Sequence, residues 1–188
     1  PIGFTTMAEY LECHGIRTRI INLAVRMLDE PSFDVEAYIK KLDSVAFGID
    51  LHWLPHAHGS IEVARIVKRY HPTKPVIFGG FSSSYFYKEL IQYAAVDFII
   101  RGDSTEVPLL MLMQYLRRGG VLNPTINSKA ALELEAIPNL VWKDSDGEMH
   151  ANPMGYSAWE DSIFSRAAIS RAAAAGSFAR VTGRPTTM

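Results

Sequence analysis

The 188-residue chain is predicted to fold as an α/β domain built on an open, doubly wound parallel sheet. Two observations predict it. Apolar runs of strand length recur at Val45 to Ile49, Val76 to Gly80 and, interrupted by Asp97, Val96 to Ile100, as expected of strands covered on both faces. Between them lie stretches whose apolar residues repeat with a helical period, so strand and helix alternate along the chain and imply right-handed crossovers.

Each element has its own justification. Thr6-Met7-Ala8-Glu9 has capping-box spacing, and Phe4, Met7, Ala8 and Leu11 share one helical face before Gly15 stops it, which predicts a helix from Thr6 to His14. Arg17 to Leu23 alternates and is β-branched, and is expected to be a strand. Val35, Tyr38, Ile39 and Leu42 mark a second helix, and Ser44 to Ile49 follows as a buried strand. Ser60 is a candidate cap for a helix with Val63, Ala64, Val67 and Tyr70 on its inner face. Pro75 to Gly80 is the next strand, Tyr85 to Tyr93 a short helix, and Val96 to Ile100 a further strand. Asp103 is expected to cap a helix bearing Pro108, Leu109, Leu112, Met113 and Leu116, with Arg117 and Arg118 in its last turn. Ile137 to Trp142 and Glu148 to Ala151 read as a hairpin turned by Asp146-Gly147, outside the repeating unit. Residues 162–188 hold seven alanines and four arginines with no Asp, Glu or Lys, and are expected to be a disordered tail. The domain organisation is therefore 1–120 for the α/β domain, 121–161 for linker and hairpin, and 162–188 for the tail.

Composition excludes several roles. With 19 basic and 20 acidic side chains the net charge is -1, so no nucleic-acid partner is expected. No apolar run reaches the roughly 20 residues of a membrane span, and no secretory leader is evident; a cytoplasmic setting is expected. The single cysteine, Cys13, cannot build a disulfide framework or a self-contained iron–sulfur site.

In an open parallel sheet, ligands bind beyond the carboxyl ends of the strands. Three segments fall there. Asp50-Leu51-His52-Trp53-Leu54-Pro55-His56-Ala57-His58-Gly59 places three histidines in one loop, either as a solvated connection or as metal ligands, His52, His56 and His58 beside Asp50. Gly79-Gly80-Phe81-Ser82-Ser83-Ser84-Tyr85 combines glycines that permit close backbone approach with hydroxyls and aromatic rings suited to a large flat ligand. Arg101-Gly102-Asp103-Ser104-Thr105-Glu106 leads into a helix, with Asp103 and Glu106 read as a cap and a first-turn acid.

The order of these signals resembles the cobalamin (B12)-binding domain that precedes the barrel of B12-dependent radical SAM proteins, over about Pro1 to Pro153. The Gly79-Gly80 and Gly102-Asp103-Ser104-Thr105-Glu106 elements carry it most specifically, and the Asp-Leu-His-Trp-Leu-Pro-His-Ala-His-Gly run points to a subgroup. The resemblance implies a flavodoxin-like, Rossmann-like fold and a module that holds cobalamin without being catalytic itself. Asp50, Leu51, His52, Trp53, His56 and His58 would then face the corrin. Gly79, Gly80, Ser82 and Ser83 would line the channel for its tail, and Arg101, Gly102, Asp103 and Ser104 would close the far side. A bulky side chain at Gly80 is expected to weaken binding without unfolding the domain. His52 imitates the start of an axial-ligand motif, but Pro55 stands at the glycine position and the loop follows another strand. The resemblance also implies a preceding strand, central in the order 2-1-3-4-5, and a barrel in cis that would supply S-adenosylmethionine and 4Fe-4S chemistry. Two other readings compete. One is a small metal-dependent enzyme built on His52, His56 and His58 with Asp50 and with Glu106 as acid–base partner. The other is an interaction domain with a vestigial pocket.

Overall fold

The computed structural model describes residues 2–103 and 105–156. Among them a single five-stranded sheet runs in the order β1 (Phe47–Asp50), β2 (Val76–Gly79), β3 (Phe98–Ile100), β4 (Leu140–Lys143), β5 (Met149–Ala151). The first three strands are parallel, with Asp50 level with Gly79 and Phe78 level with Ile99. β4 and β5 join antiparallel. The expected hairpin therefore exists but extends the sheet beyond β3. Asp144 Oδ1 accepts the N–H groups of Asp146 and Glu148 at its turn, and Gly147 takes φ +82°.

Among the described residues eight α-helices flank this sheet: α1 (Ile2–Cys13), α2 (Leu23–Asp29), α3 (Val35–Lys40), α4 (Ala57–Tyr70), α5 (Phe81–Tyr85), α6 (Tyr87–Leu90), α7 (Glu106–Arg117) and α8 (Lys129–Glu135). Side chains alternate across the pleat, so each strand feeds two cores. Val76, Phe78, Ile99 and Val141 pack with Ile39, Ala64, Val67 and Ile91 on one face. Ile77, Phe98, Ile100, Leu140 and Trp142 pack with Leu112, Tyr115, Ala131 and Leu134 on the other. This two-sided burial is the physical content of the doubly wound, flavodoxin-like architecture.

Three expectations are corrected. Residues 16–22 form no strand; Asn22 instead caps α2, its side chain accepting from Val25 N–H at 3.1 Å. A strand needs a partner for its N–H and C=O groups, and among the described residues β1 pairs only with β2. Asp103 does not cap α7; that position belongs to Thr105, which makes no side-chain cap bond. The segment expected as one helix from Tyr85 divides into α5 and α6, with Phe86 between them outside helical geometry. The tail at 162–188 lies outside the described residues.

The amino end of the sheet is fastened by charge. Asp97, 7% exposed, accepts from Val76 N–H at 2.7 Å and lies 2.6 Å from Lys68 Nζ. Beside it, Lys143 Nζ donates to Ile91 O, and burial pushes that ammonium below its ordinary range. The charged groups of this end therefore hold strands and helices together.

Candidate functional site

The loops after β1, β2 and β3 converge at the carboxyl edge and are bonded to one another. Ser82 donates to His52 O through both its N–H and its hydroxyl, at 3.3 and 2.9 Å. Ser83 N–H donates to Leu51 O, while its hydroxyl turns back to Gly79 O. Ser84, absent from the sequence-predicted contacts, bridges to the third loop: its hydroxyl donates to Gly80 O and accepts Gly102 N–H at 2.8 Å. The buried hydroxyls thus fix the rim of the edge.

Apolar side chains stand above that rim in solvent. Trp53 is 62% exposed, Phe81 63% and Tyr85 74%. His52 sits between the first two, its ring edge-on to Trp53 at 5.0 Å and 6.3 Å from Phe81. Leaving several large aromatic groups in water on one edge marks a surface that meets an apolar ligand or partner.

The family profile of the B12 binding domain matches residues 1–112, more than half the chain. This chain belongs to the B12-binding domain family. No curated protein and no solved structure matches it. Cobalamin is a broad, flat macrocycle, and the carboxyl edge of this B12-binding domain carries a row of exposed rings beside a glycine strand end. A Cβ built on Gly79 finds nothing within 4 Å, so the backbone there is open to close approach. The residues present fit the cofactor.

The other sequence-predicted contacts divide. His52, Trp53 and Asp103 are exposed, and Asp103 stands just beyond β3 at the same edge. Leu51 turns inward and is 2% exposed, offering this B12-binding domain only its backbone. Gly80 is packed against the first loop: with φ +102°, its added Cβ would lie 2.5 Å from Asp50 Oδ1, 2.9 Å from Leu51 C and 3.0 Å from His52 N. The expectation that a bulky residue there would spare the fold is therefore overturned. Arg101 lays its guanidinium over the Tyr87 ring at 4.7 Å and donates to Asn152 O, so its charge serves the loop. Ser104 lies outside the described residues.

The histidine loop is shorter than its sequence suggested. A 3-10 turn occupies Leu54–His56, and His58 and Gly59 already belong to α4. Among the described residues no three His, Cys, Asp or Glu side chains gather to hold a metal ion, so His52, His56 and His58 form no ligand set. Asp50 accepts the His52 backbone N–H; burial nonetheless holds its carboxyl above the usual range. Glu106 is the first-turn acid of α7, as expected, but it is buried. It is 4% exposed, Oε2 has no hydrogen-bond partner among the described residues, and burial pushes its carboxyl up.

Proposed function

We propose that this B12-binding domain is the cofactor-holding module of a radical SAM protein, itself non-catalytic, which presents cobalamin to a barrel in cis. The observation that carries the reading is the row of exposed rings at Trp53, Phe81 and Tyr85 beside the open Gly79. In this reading His52 and Trp53 lie against the corrin, Gly79 flanks its tail, and Gly102 and Asp103 close the far side. His56 and His58 border the corrin edge from the turn and from α4. Ser82 and Ser83 serve through the geometry they impose on the first two loops. Bound cobalamin supplies cobalt-centred chemistry; S-adenosylmethionine and the 4Fe-4S cluster belong to the barrel. With one cysteine, Cys13, the chain has no set of thiolates for that cluster.

The reading includes a further parallel strand, supplied by a longer chain, on the outer side of β1. The unpaired edge of β1 and the strand-like alternation of Arg17 to Leu23 support it.

The test is a binding measurement on the purified protein. Mixed with hydroxocobalamin and desalted, it should elute with a corrin absorption spectrum near one equivalent. A folded but colourless protein would sink the reading.

A further inference from the structure

The chain returns to the carboxyl edge after β3 has ended. After β5, residues 152–156 pass back beside the β3–α7 loop, held by two buried asparagines. Asn152, 6% exposed, donates through Nδ2 to Leu134 O and Ile137 O at 2.7 Å each, and its Oδ1 accepts from Trp142 Nε1 at 3.3 Å. Its carbonyl takes the Arg101 guanidinium.

Asn139 is the tighter clamp. It is fully buried and adopts φ +65°, a left-handed conformation that an asparagine tolerates and most residues do not. Its N–H donates to Pro153 O, and its carbonyl accepts Arg101 N–H, both at 3.0 Å. Its side chain donates to Arg101 O and Tyr156 O and accepts Tyr156 N–H, at 3.0, 3.1 and 3.2 Å. Five hydrogen bonds on one residue in a sparsely populated backbone region tie the end of β3 to the segment after β5. Such over-determination is what holds strained positions at functional sites.

What these bonds hold in place is Met154. Its side chain is 60% exposed, and its Cε would lie 3.5 Å from a Cβ on Gly102, the residue whose N–H is taken by Ser84. Trp53 follows β1, Phe81 follows β2, and Met154 stands beside Gly102, just beyond the end of β3. The three are therefore spread over two interstrand spacings, about 10 Å.

We propose that residues 152–156 form the third wall of the cofactor edge, that Met154 contacts the bound corrinoid, and that Asn139 is the positioning residue that sets it. The inference rests on the cobalamin reading above. Methionine suits the role because its unbranched thioether adapts to an irregular apolar surface.

The test is an absorption titration with hydroxocobalamin, run alongside thermal unfolding. Met154→Ser should weaken binding about five-fold, as expected for loss of one partly buried apolar contact, with the melting temperature unchanged. Met154→Leu should bind like the parent. Asn139→Gly keeps the left-handed backbone while deleting the amide; it should weaken binding and speed deuterium uptake in 152–156. Unchanged affinity in Met154→Ser, or a loosened segment in Asn139→Gly with unchanged affinity, would overturn the inference while leaving the cobalamin reading intact. A parent protein that takes up no hydroxocobalamin would overturn both.

Discussion

A methyl group on Gly80 would lie 2.5 Å from Asp50 Oδ1, so the end of β2 and the end of β1 meet at a point where no side chain fits. The backbone at Gly80, φ +102° and ψ 173°, is in a region essentially restricted to glycine. Gly80→Ala is therefore expected to destabilise the domain by about 2 kcal/mol or more, from strain and from displacing Leu51 and His52 backbone. Gly79→Ala, one residue away, adds its methyl to open space and should leave stability unchanged while weakening hydroxocobalamin binding. Urea unfolding and an absorption titration on the two variants separate the fold's glycine from the ligand's.

Asp97 offers the opposite separation, stability without binding. Removing its carboxylate in Asp97→Ala leaves Val76 N–H without its acceptor and the Lys68 ammonium, whose side chain is 17% exposed, without its counter-charge. A loss of about 3 kcal/mol is expected. Asp97→Asn keeps an acceptor for Val76 and should cost about 1 kcal/mol. Both lie at the amino end of the sheet, so affinity for hydroxocobalamin should be unmoved in each.

Glu106 should give the domain a pH dependence of definite sign. Burial raises its carboxyl in the folded state above the ordinary 4.5, so the folded chain holds this proton more tightly than the unfolded chain does. The contribution is fully present below pH 4.5 and is lost as pH rises through the folded value. Melting curves of the parent and Glu106→Gln should diverge over that interval, the parent losing ground with rising pH and then running parallel. Curves parallel throughout would mean that Glu106 titrates as if in solvent.

The hairpin carries a contribution of the reverse sign. Asp144 Oδ2 pairs with His150 Nε2 at 2.8 Å, and this bond, with the N–H groups of Glu148 and Asp146, holds the carboxyl below its ordinary 3.8. Its stabilisation is present above pH 3.8 and lost as pH falls through the lowered folded value. His150→Ala removes the largest cause, and also the ring stacked on Trp142 at 4.4 Å. Acid unfolding of that variant, followed by circular dichroism, should begin at higher pH than in the parent.

Much of the fold was legible because it rests on local period. From Phe47 to Arg117 the switch between apolar runs and helical stripes located β1 to β3, α4 and α7, and Asp146-Gly147 located the hairpin turn. Arg17 to Leu23 was not legible. Its alternation is genuine, but strand formation depends on a neighbour that no property of the segment itself supplies, and Asn22 capping α2 is the local alternative. The candidate site was legible as an edge rather than as contacts. That Gly79 and Gly80 are special could be read; that Asp50 approaches one and open space the other could not. Glu106 has the spacing of a first-turn acid, which it is, and only packing reveals it as buried. Ser84, Asn139 and Met154 gained their roles from chain segments far away in sequence, where no motif records the pairing.

The sheet order β1-β2-β3-β4-β5 follows the chain order without a jump. Each strand can therefore dock on the one made just before it, and none must await a partner still to be synthesised. Pairing neighbours in chain order avoids the still longer closures that a shuffled strand order would need. It also gives assembly a direction, with the last residues to settle being those after β5. The clamp at Asn139 would then form late, and the wall bearing Met154 would close only on a sheet already built.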